Sequence, residues 1–481
     1  MELSFLPNNA FIDPNGDNVN EIRGLVDQLV GLVIENSSHA AKRETLPSME
    51  SFNYSDIPET GIELEKLLLN LQGIIKNSMN PQNPRYMGHM DSIPTLMSCL
   101  GDFISSSINN NMLSLEMSPV FSKMEAQLLK TIARMFGYDD MSGGVMTSGG
   151  SLANLHALTA ARNYQLNVKK TGVFGLSGQP VIFVSDVSHT SLHKAAMILG
   201  LGTSSIIPVK SNNLARMDIH DLETKIHRAK SEGKIPFAVV ATAGTTVTGS
   251  IDPILPIARI TKENGLWLHV DAAYGGALVF SEEYRNKLAG IEMADSITFN
   301  PQKWMYITKT CAMTLFKNRE ILETDFRISA PYMNDTDFIN LGEIGVQGTR
   351  HADILKLYLS LQHIGTKGYN QLINESFALN EKFIKQVKQR PFLELYCEPD
   401  TNICCFRGIP IDIDKDQWDN WNLELQQFLL KEENVFLSLP DFKEHRWLRA
   451  VLLNPFISDT LIQELFRKID QFYGEYKQMM E

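Results

Sequence analysis

Lys303 stands in Asn300-Pro301-Gln302-Lys303-Trp304, with the apolar Ile297 and Phe299 before it and Trp304 through Ile307 after it. Keeping an ammonium charged in such a setting is costly, so the amine titrates low and becomes a nucleophile toward carbonyl carbon. A solvated lysine at a strand end is the competing reading, and on Lys303 alone it is the commoner one. The stretch Leu266-Trp267-Leu268-His269-Val270-Asp271-Ala272-Ala273-Tyr274-Gly275-Gly276, about thirty residues upstream, reverses the balance. There a carboxylate ends an apolar strand, followed by small residues that leave room for a flat ring. Asp271 is expected to be buried, and a buried carboxylate needs a partner. A protonated ring nitrogen supplies one; a helix cap or structural ion pair is the alternative. An amine for a Schiff base and a carboxylate for a pyridinium nitrogen are the two protein groups that pyridoxal phosphate requires.

Other candidate groups also fall at strand ends. Ser148-Gly149-Gly150-Ser151-Leu152-Ala153-Asn154 is a glycine turn opening a helix. Its N–H groups, the positive helix end and a serine hydroxyl make an anion site, although an ordinary tight turn reads the same way. It matches neither GxGxxG nor GxxxxGK[ST], so a dinucleotide or nucleoside triphosphate gains nothing. Asp186-Val187-Ser188-His189 follows a β run, where an imidazole either stacks on a flat cofactor or simply packs. Thr242-Ala243-Gly244-Thr245-Thr246 sets hydroxyls after another strand. Arg350, in Gln347-Gly348-Thr349-Arg350-His351, and Arg449, inside the apolar run Leu448–Leu453, are suited to a carboxylate or phosphate. For both, an intramolecular ion pair competes.

These groups need a scaffold that gathers strand ends. From about residue 120, β-rich runs (Gly143–Thr147, Pro180–Ser185, Phe237–Ala241, Leu266–Asp271) alternate with helical ones, including a helix capped by Asp218 and closed by Gly233. Such alternation implies a mostly parallel sheet covered on both faces, with its site at the carboxyl ends of the strands. Before it, Ile22, Leu25, Val26, Leu29, Val33 and Leu64, Leu67, Leu68, Leu71, Ile74 keep helical spacing. Those amphipathic helices suit a swapped or dimer-forming arm. After about residue 370 a helix from Leu372 to about Val387 leads into a small α/β unit, with strands near Leu393–Cys397, Asn402–Phe406, Val435–Ser438 and Leu448–Leu453.

The composition excludes several classes. Net charge is −12 with no cluster of Lys or Arg, which argues against nucleic acid or an anionic membrane as partner. The opening MELSFLPNNAFIDPNGD has no basic n-region or long apolar run, and no stretch reaches membrane-spanning length. The five cysteines are odd in number and lack metal-ligand spacing, so neither a disulfide framework nor a metal is expected. A soluble protein of a reducing compartment, the cytoplasm, is the expectation.

With these residues in view, the chain resembles the group II pyridoxal-phosphate-dependent amino acid decarboxylases, and among them the glutamate and cysteine-sulfinate decarboxylases. The likeness runs from about residue 80 to the end and is carried by SGGSLAN, SDVSHTSLHKAA, ATAGTTVTGSIDP, WLHVDAAYGG, FNPQKWM and QGTRHADILK, in that order. The resemblance implies a fold type I enzyme of the α/β class, with a mostly parallel seven-stranded sheet and helices on both faces. It sets residues 1–115 as a helical, dimer-forming segment, 116–370 as the large cofactor domain and 371–481 as a small α/β domain. It implies that Lys303 carries the cofactor, Asp271 pairs with the ring nitrogen, and His189 and Ala273 face the two sides of the ring. Gly150, Ser151, Ser296 or Thr298, and Asn300 would hold the phosphate, with Thr246 near the ring hydroxyl. Arg449 would take a substrate carboxylate, and Gly348 and Thr349 would come from the partner subunit of a homodimer whose site lies at the interface.

Two departures qualify the likeness. The family usually has His before the lysine, whereas this chain has Gln302, which can donate to phosphate but carries no charge. The loop between Ser329 and Gly348 is short, and Tyr332 is its only tyrosine, the candidate for reprotonating Cα; Phe338 lies further along. The expected activity is α-decarboxylation of an acidic L-amino acid (glutamate, aspartate or cysteine sulfinate). An aromatic, aliphatic or basic substrate stays open, because Tyr86–Met90, with His89 where the glutamate enzymes have an amide, and Asn109–Leu115, with Asn110, are expected to line the side-chain pocket. An aldehyde synthase or aminotransferase on the same fold, and a scaffold without catalysis, are the other readings.

Overall fold

Seven short strands that are buried along nearly their whole length form the centre of the protein. The structure, a computed structural model, describes residues 6–47, 56–329 and 338–480. The strands are β1 (Gly143–Thr147), β2 (Pro180–Ser185), β3 (Ile206–Val209), β4 (Ile235–Thr242), β5 (Trp267–Asp271), β6 (Ser296–Phe299) and β7 (Ala312–Phe316). They run in the order β1-β7-β6-β5-β4-β2-β3. β7 is antiparallel to both neighbours and every other pairing is parallel. β1, β2, β5, β6 and β7 are buried at every position, because helices cover both faces.

The helices follow in chain order. α1 (Val19–Ser38) and α2 (Leu64–Lys76) form the N-terminal segment and bury none of their residues. α3 (Leu96–Ile108) and α4 (Pro119–Met135) precede the sheet, and α5 (Gly150–Leu166), α6 (Ser191–Ile198), α7 (Ile219–Ser231) and α8 (Ile254–Asn264) connect its strands. Asp218 caps α7 by accepting from the Asp221 N–H, and Gly233 closes it at φ +72°, both as the sequence suggests. α9 (Leu341–Ile344) is one turn, and α10 (Ile354–Lys388) runs across position 370. From Ile354 through Leu357 and Tyr369 to Phe377 it packs in the large core, and its last turns pack in the small core through Phe383 and Val387.

The C-terminal unit contains β8 (Leu393–Leu395), β9 (Ile403–Gly408), α11 (Trp418–Lys431), the hairpin β10 (Asp441–Phe442) and β11 (His445–Arg446), β12 (Leu448–Val451) and α12 (Asp459–Met480). β12, β9 and β8 make an antiparallel sheet. The strand expected at Val435–Ser438 does not join it. That segment forms isolated bridges, Phe436 with Tyr86 and Ser438 with Arg449, which draw the Tyr86–His89 segment up to Arg449.

Arg350, expected at the substrate, belongs instead to the scaffold. Its Nη1 and Nη2 donate to Glu125 of α4 at 2.7 and 2.5 Å, and Glu125 also accepts from the Met146 N–H of β1 at 3.0 Å. The glutamate side chain is fully buried and the arginine is 6% exposed, so the guanidinium is already neutralised where water cannot compete. Glu125→Gln should lower stability in denaturant unfolding by about 3–5 kcal/mol, because it leaves a buried cation unpaired. A loss below about 1 kcal/mol would show that the pair is not what holds α4 to the sheet.

Candidate active site

A cavity of about 400 Å³ opens at the carboxyl ends of β1, β2, β4, β5 and β6. It is lined by Gly150, Ser151, His189, Thr246, Asp271, Ala273, Asn300, Gln302 and Lys303, together with Ser148, Gly149, Leu152, Asn154, Ser191, Thr242 and Gly244. Residues spread over more than 150 positions of sequence therefore meet in one hollow, as parallel strands dictate.

Asp271 ends β5 and is 6% exposed. Its Oδ2 accepts from Asn154 Nδ2 at 2.8 Å and its Oδ1 from the Ala273 N–H at 3.2 Å, which leaves Oδ1 with capacity for a further donor. Lys303 lies in the turn after β6 rather than on a strand. The turn is anchored by Trp304, fully buried and stacked on Tyr274 at 4.9 Å, whose hydroxyl donates to Asn402 at 2.6 Å. Burial pushes the Lys303 pKa down, Asp271 and Asp91 oppose the shift, and Arg449 and Lys309 add to it. The result is an amine that loses its proton at lower pH than a free lysine.

His189 follows β2 and is open to the cavity. Its Nδ1 accepts from the Ser191 N–H at 3.2 Å, so the neutral ring carries its proton on Nε2. Surrounding protein lowers its pKa, with Asp271 partly opposing. Gln302 Oε1 accepts from the Cys311 N–H at 2.6 Å, which fixes the amide with its Nε2 donor uncommitted to that bond. Gly150 opens α5 beside Asn300: a Cβ on it would lie 2.7 Å from the end of the Asn300 side-chain amide, so any larger residue would push that amide aside.

The residues present fit pyridoxal phosphate. A helix N-terminus built on glycine, with Ser151 and the Gln302 and Asn300 amides around it, suits a phosphate. Asp271 suits a protonated ring nitrogen, and Thr242 Oγ1 in the cavity wall is buried with no hydrogen-bond partner. Ser296 and Thr298, expected near the phosphate, lie within β6 beneath the cavity, where both are buried and hydrogen-bond His269.

Arg449 and His89 sit together at the edge of the site rather than in the cavity wall. Arg449 Nε and Nη2 donate to the Gly88 carbonyl at 3.2 and 2.7 Å, Nη1 to the Thr246 carbonyl at 2.6 Å, and Nη2 to His89 Nδ1 at 2.9 Å. Of the five N–H donors of a guanidinium, one on Nη1 remains. A bidentate grip on a carboxylate would require releasing Gly88 or Thr246. Asn110, Gly348 and Thr349 lie away from the cavity wall, with Asn111 Nδ2 donating to Thr349 Oγ1 at 3.2 Å. Tyr332 falls outside the described residues. Asn154 and His269 are the site residues that the reading of the sequence passed over. The signal was present: Asn154 is one helical turn beyond Gly150, and His269 shares a strand face with Asp271.

The Lys303 shift carries a stability consequence. Between its lowered folded pKa and 10.5 the unfolded chain binds a proton that the folded chain does not, so stability rises with pH across that window. Cofactor-free Lys303→Met protein should therefore melt higher than cofactor-free wild type at pH 7, with a flatter pH dependence above it. Equal melting temperatures at every pH would mean that the ammonium is not desolvated.

Comparison with known proteins agrees with this geometry. Residues 48–409 match the family described as Pyridoxal-dependent decarboxylase conserved domain. Acidic amino acid decarboxylase GADL1 of Xenopus tropicalis is 35% identical over 437 residues, covering 86% of this chain and 84% of the relative. The Bos taurus protein of the same name is 30% identical over 431 residues, covering 86% and 82%. Among solved structures, mouse CSAD superposes with a TM-score of 0.89 at 29% identity, covering 95% of this chain and 99% of that one. Oryza sativa TDC, solved with PLP and tryptamine, shares the fold at a TM-score of 0.91 and 21% identity, covering 97% and 100%. With a lysine, a carboxylate and a phosphate cradle meeting in one cavity of this sheet, the chain belongs to the group II pyridoxal-phosphate-dependent decarboxylases.

Proposed function

We propose that the protein is a cytoplasmic homodimeric enzyme that removes the α-carboxyl group of an acidic L-amino acid, glutamate, aspartate or cysteine sulfinate, and releases CO2 and an amine. The observation that carries the substrate class is Arg449. It is 6% exposed, and its hydrogen bonds among the described residues go to two carbonyls and an imidazole, none of which neutralises it. A desolvated cation at the edge of the site, with one N–H to spare, favours an anionic group of the substrate. Two relatives that carry the name acidic amino acid decarboxylase support the same choice.

Pyridoxal phosphate, when bound, supplies the electron sink that accepts the pair left by departing CO2. The chain supplies everything else. Lys303, whose pKa burial lowers, would provide the amine that holds and releases the cofactor. Asp271 would pair with the ring nitrogen through Oδ1. His189 and Ala273 would confine the ring, and Gly150, Ser151, Asn300 and Gln302 would hold its phosphate, with Thr246 near the ring hydroxyl. Tyr332 is assigned the return of a proton to Cα.

The dimer is supported by an exposed apolar stripe on α3: Leu96, Leu100, Phe103, Ile104 and Ile108 are 41–69% exposed. The stripe leads directly to Asn110, Asn111 and Thr349, which a second copy would place against the neighbouring cavity. No helix among the described residues is long and apolar enough to cross a membrane. The five cysteines are free, an arrangement that suits a reducing compartment.

Two measurements test the reading. In a panel of L-amino acids with CO2, amine and aldehyde scored together, acidic substrates should exceed neutral, aromatic and basic ones by about 100-fold in kcat/KM, the scale of one desolvated charge contact. Turnover confined to neutral or aromatic substrates would overturn the role given to Arg449, and aldehyde in place of amine would overturn decarboxylation as the net reaction. Phe103→Asp should sediment with the mass of one chain instead of two and lose activity with it. An unchanged dimer would remove α3 from the interface.

A further inference from the structure

Beneath the cavity a chain of buried polar side chains ends on Asp271. Trp267 Nε1 donates to Ser296 Oγ at 2.9 Å, and Ser296 Oγ lies 2.8 Å from His269 Nδ1. His269 Nε2 lies 3.1 Å from Asn154 Oδ1, with Thr298 Oγ1 at 3.4 Å. Asn154 Nδ2 then donates to Asp271 Oδ2 at 2.8 Å and to Ser191 Oγ at 3.0 Å. Every member is buried: Trp267, Ser296, His269 and Asn154 are each at most 1% exposed.

The direction of each bond can be read back from the carboxylate. An indole N–H only donates, so Ser296 Oγ accepts it and has its own proton to give to His269 Nδ1. A carboxylate only accepts, so Asn154 must turn Nδ2 toward Asp271 and Oδ1 toward the imidazole, and His269 must then carry its proton on Nε2. The carboxylate end requires this neutral tautomer, and the indole end is compatible with it, since a hydroxyl can give its proton or accept one. Burial agrees, pushing the His269 pKa down to about 4.

We propose that Asn154 and His269 are positioning residues that fix which way the amide faces Asp271, and so hold its carboxylate ready for the ring nitrogen of the cofactor. The chain is polarised toward Asp271, and a reversed His269 tautomer would turn an amide oxygen on the carboxylate. The proposal rests on the pairing of Asp271 with the cofactor ring.

Glutamine and asparagine separate the two ring nitrogens, because the amide nitrogen of Gln can replace Nε2 and that of Asn can replace Nδ1. His269→Gln should therefore keep pyridoxal phosphate affinity and the visible absorbance of the holoenzyme close to wild type. His269→Asn should weaken affinity by about tenfold or more, the usual cost of losing an outer support, and alter the absorbance band. Ser296→Ala is a milder second variant. It frees His269 Nδ1 to donate to the carbonyl of residue 296, now 3.2 Å away, and should reproduce the asparagine phenotype in a fully folded protein. Affinity is read by titrating cofactor-free protein with pyridoxal phosphate, alongside its melting temperature and kcat and KM separately. If His269→Gln and His269→Asn lose affinity equally, or if Ser296→Ala leaves both affinity and spectrum unchanged, the relay is overturned. Asp271→Asn is the control. If it weakens affinity while the His269 and Ser296 variants do not, the relay alone fails; if it has no effect, the pairing of Asp271 with the ring fails as well.

Discussion

The register between β5 and β6 is the constraint on which the site depends. Asp271 lies opposite Thr298 in that parallel pair, and Lys303 follows five residues later in the turn that β6 leads into. A slip of one residue would turn Asp271 to the other face of the sheet and remove the carboxylate from the cavity. The sheet prevents this by burying both strands completely, so any slip would also drive Trp267 and Phe299 out of the core. Packing of apolar surface thereby sets the distance between the carboxylate and the amine of the cavity.

Arg449 joins three parts of the chain that the sheet alone does not connect. It stands on β12 of the small domain, yet its bonds end on Gly88 near the N-terminal segment and on Thr246 after β4. Its hydrogen bonds to carbonyls tie those segments together, while its charge meets no carboxylate among the hydrogen bonds it makes. The hairpin of β10 and β11 adds a second tie, with Lys443 bonded to Asp186 at 3.0 Å close to His189.

Most of this was legible in the chain because parallel sheets leave a plain trace. Buried strands read as apolar runs, and polar residues just past their ends, such as Asp271 and Thr246, stand out. Arg350 and Arg449 looked alike from the sequence, each a guanidinium beside apolar residues. What separated them was a partner more than two hundred positions away, Glu125 in one case and backbone carbonyls in the other. No local pattern records such long-range pairing. Ser296, Thr298 and His269 were obscured for a related reason: a polar residue within a buried strand points either into the cavity or into the layer below, and sequence alternation does not label the two faces.

α10 deserves a mechanical reading. Gly365 breaks it with φ 69° and ψ 171°, a conformation open to glycine and hostile to other residues. From there to Lys388 the second limb is roughly 35 Å long at 1.5 Å per residue. Both limbs are rooted in the large core, the first through Ile354 and Leu357 and the second through Tyr369, Ile373 and Phe377, and only the last turns, from Phe383 to Val387, enter the small core. The helix is thus a splint: a rod gripped by the large core along most of its second limb carries the C-terminal unit on its last turns.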